Sequence, residues 1–230
     1  QLAYTNGLAV LAKPGLSILV ETDGTLLTAP IAQQLAEIVK DSPERTGSWP
    51  AVMWIVSVDA VTDGMYGKIH TNAFTNGNGI RSFESAKAAL VTLEHYFPGD
   101  VYPQFVRMKD NEEELESFYR FYHDPEGGTE GRLIIQKYDS FCGLLPDLKS
   151  ADLAPLERGP CWHCKRDMLV LPDGSVPPCR EHVLDDSCGN VFEEGVDAVW
   201  KKMDGLAGEH IQGRYPGKCG TCDEYYTFNF

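Results

Sequence analysis

The chain has 230 residues, 43% of them hydrophobic and 23% charged, enough to bury a sizeable core in one large domain or two modest ones. Its formal net charge of −14 weighs against nucleic acid or an anionic membrane surface as partner, because both need clustered Lys and Arg. No apolar run approaches the roughly 20 residues of a membrane span, and seven cysteines in an odd, clustered distribution suit thiolate ligation better than a disulfide framework.

A cytoplasmic protein without a signal peptide is therefore expected. Gln1 stands where Met would open a mature protein, and Leu2, Leu8, Val10 and Leu11 read as the end of a helix begun upstream. A fragment or trimmed chain is the expectation.

Leu16 to Glu21 is an apolar, β-branched run ending at Thr22-Asp23-Gly24, a strand entering a turn. Thr28 is placed to cap a helix with Pro30 in its first turn, and Ile31, Leu35, Ile38 and Val39 keep the helical spacing. After a Pro- and Gly-bearing loop, Ala51 to Val58 is apolar nearly throughout, as in parallel strands covered on both faces. Thr62 to Gly79 reads as a long Gly- and Asn-rich loop of the kind that serves as a lid or binding loop.

Ser82 caps a second helix in which Ala86, Ala89, Leu90 and Leu93 face inward, and Val101 to Met108 is the next strand. Asn111 is predicted to cap a third helix with Glu114 at the capping-box position and Leu115, Phe118, Tyr119 and Tyr122 on one face. The run Glu112-Glu113-Glu114 suits the positive end of that helix dipole. Arg132 to Tyr138 is a fourth strand.

The order β-α-β-α-β-α-β predicts an α/β fold with a parallel sheet, either open or part of a barrel. Sites in such folds lie at the carboxyl ends of strands. Here those ends carry Thr22 with Asp23, Ser57 with Asp59, Arg107 with Lys109, and Lys137 with Asp139. Ser57 and Asp59 could contact a ribose hydroxyl or merely finish the strand. No Gly-x-Gly-x-x-Gly follows the first strand, which weakens a Rossmann-like reading.

Leu144 to Gly159, with Pro146 and Pro155, reads as a linker, so two domains are expected, residues 1–158 and 159–230. Six of the seven cysteines lie in the second. Cys161-x-x-Cys164 and Cys219-x-x-Cys222 flank Cys179, and thiolates two residues apart bind one soft ion or cluster through a tight turn. Five thiols compete for four places, and spacing leaves both a [4Fe–4S] cluster and a tetrahedral zinc open.

Cys142 and Cys188 read as small buried hydrophobes. His163 reads as a surface residue of its turn, and His70, His95, His123, His182 and His210 as structural histidines. Met168 to Leu171 and Ser175 to Val176 flank Pro172-Asp173-Gly174, a β-hairpin signal. Val196 to Met203 is a short amphipathic helix with Val196, Val199, Trp200 and Met203 on one stripe. Tyr225, Tyr226, Phe228 and Phe230 read as packing aromatics before a substrate-cleft lining.

Cys164, nine residues, Gly174, four residues and Cys179 form a C-x9-15-G-x4-C spacing, set in Asp173-Gly174-Ser175-Val176. With Gly189-Asn190-Val191, the helix after it and Cys219-x-x-Cys222, this resembles the radical S-adenosylmethionine enzymes that carry a SPASM or Twitch auxiliary-cluster domain. Thr22-Asp23-Gly24 is similar to that family's Thr-Asn-Gly strand end. Ser57-Val58-Asp59 is similar to its Ser-Leu-Asp, and Tyr66 to Phe74 to the loop beyond, with His70 where an Arg is frequent.

The resemblance implies a partial (β/α) barrel followed by a small Cys-rich hairpin-plus-helix domain. Absent are the C-x3-C-x2-C that holds the catalytic cluster and the Gly-Gly-Glu type segment. Three further cysteines of the full SPASM pattern are missing after Cys222, which leaves thiolates for one auxiliary [4Fe–4S] cluster, as in Twitch domains.

In the intact protein the resemblance implies S-adenosylmethionine near Thr22, Asp23, Ser57 and Asp59, and its cleavage to a 5′-deoxyadenosyl radical. It also implies a small-molecule or peptide substrate and an electron-donor protein, with this chain alone inactive. The contrasting expectation is a non-catalytic binding module stapled by zinc or a cluster.

Overall fold

The structure, a computed structural model, describes residues 13–70, 82–151, 154–185 and 187–226. The expected upstream helix end at Leu2 to Leu11, the loop residues from Thr71 to Gly79, and Phe228 and Phe230 lie outside the described residues. The chain divides into two compact units, Gln1–Tyr138 and Asp139–Phe230. The segment expected as a linker, Leu144 to Gly159, thus groups with the second unit.

In the first unit, β1 (Ile18–Thr22), β2 (Val52–Ser57), β3 (Val101–Arg107) and β4 (Ile134–Lys137) form one sheet in the order β1-β2-β3-β4. Every pairing is parallel. The α/β class and the parallel sheet agree with the alternating pattern. β2 lies in the interior of the sheet, and five of its six residues are buried, which is why its sequence is apolar without alternation. Trp54 anchors the core against Phe97, with ring centroids 5.2 Å apart.

Two helices, α1 (Ala29–Lys40) and α3 (Phe83–Tyr96), carry the inward stripes the spacing predicts: Ala32 and Leu35 on the first, Ala86, Ala89, Leu90 and Leu93 on the second. Ser82 closes a capping box with Ser85, each side chain accepting the other's backbone N–H at 3.1 and 3.0 Å. Gly24 turns the chain after β1 at φ +72°, where a Cβ would sit 2.5 Å from that of Ala89. Only glycine fits that approach of the turn to α3.

Two expectations are corrected here. Thr62 does not open a featureless loop: its side chain accepts the Met65 N–H at 3.3 Å and starts α2 (Asp63–Ile69). Asn111 does not cap α4 (Leu115–His123), which begins after a 3₁₀ turn at Glu112–Glu114. The Asn111 side chain turns back instead, accepting the Met108 N–H at 2.8 Å and donating to the Asp59 and Val106 carbonyls, both at 2.9 Å. Glu114 likewise leaves its own helix and accepts from Val61 N–H and the Thr62 hydroxyl, both at 2.6 Å. Both side chains tie the segment after β2 to the β3–α4 connection.

The second unit has little regular structure and a small apolar cluster of Val176, Val199 and Met203, with Met168, Cys188, Val191 and Trp200 packed against it. Its elements are a single helical turn α5 (His163–Arg166), strands β5 (Ser175–Val176) and β6 (Gly189–Asn190), a turn α6 (Val191–Glu194) and the helix α7 (Val196–Ile211). The predicted hairpin is corrected in its partner. The Leu171–Gly174 turn forms, with the Leu171 N–H bonded to the Ser175 carbonyl at 2.9 Å, but β5 takes β6 as its antiparallel neighbour. α7 runs eight residues beyond the predicted Met203, through Gly205 and Gly208, and Val196 lies exposed at its start. No helix among the described residues is long and apolar enough to cross a membrane.

Candidate metal centre

Four local structures bring the cysteines of the second unit together. In α5 the Lys165 and Asp167 N–H groups bond to the Trp162 and His163 carbonyls, both at 3.0 Å, and this turn buries His163 and Cys164 while Trp162 faces out. The Gly174 turn, at φ +85°, feeds β5 and then Cys179. Asn190 fastens that turn by donating to the Asp173 carbonyl at 2.9 Å, while the Val191 N–H bonds to the Gly174 carbonyl at 2.9 Å. That is the physical content of the Gly-Asn-Val stretch. Finally, a 3₁₀ turn at Gly217–Gly220 places Cys219 and Cys222 on adjacent turns, with the Cys222 N–H on the Lys218 carbonyl at 3.0 Å.

Cys161, Cys164, Cys179, Cys219 and Cys222, the five predicted metal ligands, all line one cavity. Cys188 does not; it packs in the apolar cluster. Three histidines share the cavity wall, which sequence reading missed because they are far apart in the chain and carry no common motif. His163 is buried at 6% exposure, a correction to its reading as a surface residue. His182 Nε2 lies 3.6 Å from Cys219 Sγ and His210 Nδ1 4.0 Å from Cys164 Sγ. Cys161, Cys164 and His210 bring three donor atoms within 4.8 Å of one another.

Cys142 was also underrated by the sequence. It stands in the left-handed region at φ 53° beside Phe141 at φ 50°, and its sulfur, Cys222 Sγ and a Glu181 oxygen lie within 4.8 Å of one another. Two consecutive non-glycine residues in that region carry a strain that packing has to offset. No local sequence signal announces such a backbone.

Burial raises the thiols of Cys179, to about 12, and of Cys222, to about 11, and it also raises Cys219. In the Cys161–Cys164 pair, the hydrogen bond from Cys164 lowers Cys161 to about 6, and the same bond together with burial raises Cys164. Burial, with the Arg158 charge, lowers His210. Burial and then Asp139 raise Glu181 to about 7.

Desolvated thiols resist ionisation in the absence of a cation, and a bound thiophilic metal reverses that order by stabilising the thiolates directly. The buried Nε2 atoms of His163 and His210 have no hydrogen-bond partner among the described residues. Five convergent thiols with unmatched imidazole nitrogens fit a soft metal or an iron–sulfur group. Arg158 adds positive charge at the wall: its guanidinium packs over Tyr215 and Tyr225 at 4.5 and 4.4 Å and donates to the Cys222 carbonyl at 2.9 Å.

The four residues read as cofactor contacts sit at the carboxyl ends of β1 and β2 in the first unit, and their polar atoms have local partners. Thr22 Oγ1 accepts the Gly24 N–H at 3.1 Å, and Asp23 Oδ1 the Thr25 N–H at 3.0 Å. Ser57 donates to Gln104 Oε1 at 3.2 Å. Asp59, at φ 60° and buried, accepts the Val106 N–H at 2.6 Å, and its other oxygen lies 3.2 Å from His70 Nε2.

Comparison with known proteins bears on the second unit. Residues 161–223 match the SPASM iron–sulfur cluster-binding domain, and this span contains all five cavity cysteines. The chain is also 40% identical over 222 residues to an uncharacterized protein of Treponema pallidum (strain Nichols), a match that covers 96% of this chain and 59% of that protein. The chain thus spans less than two thirds of its relative's length. No solved structure matches the chain.

Proposed function

We propose that the second unit holds one auxiliary [4Fe–4S] cluster, and that the intact protein is a radical S-adenosylmethionine enzyme acting on a small molecule, a peptide or a protein side chain. The observation that carries this reading is the convergence of five thiols on one cavity inside the segment that matches the SPASM domain. A thiolate-held cluster supplies one-electron transfer, with a potential set by its charge, hydrogen bonds and burial. The chain's own part is to orient the thiolates through the α5 and Gly217–Gly220 turns, to exclude water by burial, and to offset negative charge with Arg158. Thr22, Asp23, Ser57 and Asp59 belong in this reading to the cofactor side of the first unit, and an electron-donor protein would reduce the cluster.

Anaerobic reconstitution with iron and sulfide tests it. The expected result is about 4 Fe per chain with broad visible charge-transfer absorbance. Loss of most of that iron is expected in Cys179→Ala and retention in Cys188→Ala. Stoichiometric zinc with no iron uptake would sink the electron-transfer role. It would support the second reading, a zinc-stapled binding module, which is favoured by the close approach of Cys161, Cys164 and His210.

A further inference from the structure

Cys142 belongs neither to the large thiol cavity nor to the apolar cluster of the second unit, yet it does not stand alone. Its sulfur, the Cys222 sulfur and a Glu181 carboxylate oxygen all lie within 4.8 Å of one another. This group shares no residue with Cys161, Cys164 and His210, the other donor atoms that close together. Ligands of one tetrahedral ion sit roughly 3.5 to 4 Å apart when their bonds are about 2.0 to 2.3 Å long. The three atoms therefore need only a small inward shift to share an ion.

The surroundings hold these atoms in place. Glu181 is 4% exposed, and its Oε2 is buried with no hydrogen-bond partner among the described residues. A buried carboxylate oxygen without a donor is costly, and a cation beside it offsets that cost. Its Oε1 meets Arg180 Nε at 3.2 Å. Asp139 pairs with the same guanidinium and Glu224 approaches it at 3.7 Å, so three buried carboxyl groups converge on one Arg. Asp139 Oδ1 also accepts the Phe141 N–H at 2.8 Å, which steadies the left-handed Phe141–Cys142 backbone. The Glu224 N–H donates to Cys222 Sγ at 3.3 Å and fixes that sulfur as well.

We propose that Cys142, Cys222 and Glu181 hold a second metal centre, a single zinc or ferrous ion separate from the cluster. Two thiolates with one carboxylate suit such an ion and disfavour magnesium or calcium, which take oxygen ligands. Three protein ligands leave a fourth tetrahedral position for water. The division of thiols rests on the cluster reading above and removes its excess. With Cys222 committed here, Cys161, Cys164, Cys179 and Cys219 are the four ligands of the cluster.

Cobalt titration of the 230-residue chain tests this, after anaerobic reconstitution with iron and sulfide and removal of loose iron by a mild chelator. One equivalent of Co²⁺ is expected to bind, with thiolate charge-transfer absorbance and the intense d–d bands of a tetrahedral site. Cys142→Ser and Cys222→Ser should lose that signal with iron content retained, which also reports that they fold. Glu181→Gln should weaken cobalt binding at least tenfold, and Cys188→Ala should leave it unchanged. No cobalt uptake by the loaded wild type, or uptake that survives Cys142→Ser, overturns the second centre and leaves the cluster reading intact. Loss of cluster iron in Cys222→Ser overturns the division of thiols. Failure of the wild type to take up iron sinks the cluster reading, and the same titration then decides this one separately. Two cobalt equivalents in wild type against one in Cys142→Ser would support the second centre, and equal numbers would overturn it.

Discussion

At the scale of single residues, Asn111 shows how a side chain can hold a strand end in place. It is fully buried and spends both its amide groups on backbone atoms on either side of the β3 terminus, including the carbonyl of Asp59. Asn111→Ala strands one N–H and two carbonyls in a dry interior, each costing on the order of 1 kcal/mol or more. A loss of about 3 kcal/mol is expected for the first unit in urea, with amide exchange accelerating at Val106 and Met108. Asn111→Asp should do no better, because its carboxylate would face two carbonyl oxygens. Retention of wild-type stability in the alanine variant would refute the role. The sequence misleads here for a definite reason. Asn followed three residues later by Glu looks like a capping box, and only the long-range partners, Asp59 for one and Val61 for the other, show that tertiary bonds outcompeted the local one.

At the scale of elements, the legible parts were those whose signal is local. The apolar run of β2, the Ser82 capping box and the stripes of α1 and α3 all lie within a dozen or so residues of sequence. The five candidate thiols were legible too, four of them as short-range C-x-x-C pairs and Cys179 by its spacing from Gly174. The pairing of β5 with a strand thirteen residues away was not, and neither was the run of α7 through two glycines, which tertiary packing of Val199, Met203 and Ala207 overrides. Gly174 joins the two classes. Its positive φ is a turn requirement, but the deeper constraint is that a Cβ there would meet Phe192 and come within 2.6 Å of Asn190 Oδ1. Gly174→Ala is therefore expected to part the turn from β6, at a cost of about 2 kcal/mol or more from backbone strain and the clash together. Cys179, five residues on, would lose its placement, so iron uptake on reconstitution should fall with the melting temperature. Unchanged iron content in a fully folded variant would show that the turn does not position the thiols.

At the scale of the whole molecule, the two units draw on different sources of stability. The first has a continuous apolar core built from sheet and helix residues, with Trp54, Tyr66, Phe105, Phe118 and Tyr122 fully buried. Among the described residues, the second buries Val176, Val199 and Met203 in its main apolar cluster, and it spends much of its remaining interior on thiols and imidazoles. An apolar core that small does not hold a unit of this size by itself, so binding of a metal group should supply a large share of its folding free energy. Ligand that binds only the folded form raises stability by RT ln(1 + [L]/Kd), and the gain should appear only where the ligand binds. Native-state hydrogen exchange separates the two units directly. In the metal-free chain, amides of β5, β6 and α7 should exchange fast and together, while those of β2 and β3 stay protected. Reconstitution with iron and sulfide should slow the first group by orders of magnitude and leave the second unchanged, and removal of the metal by a chelator should reverse it. Strong protection of β5, β6 and α7 without metal would mean that the second unit folds on its protein contacts alone, and the cavity would then be an addition to a finished fold instead of its core.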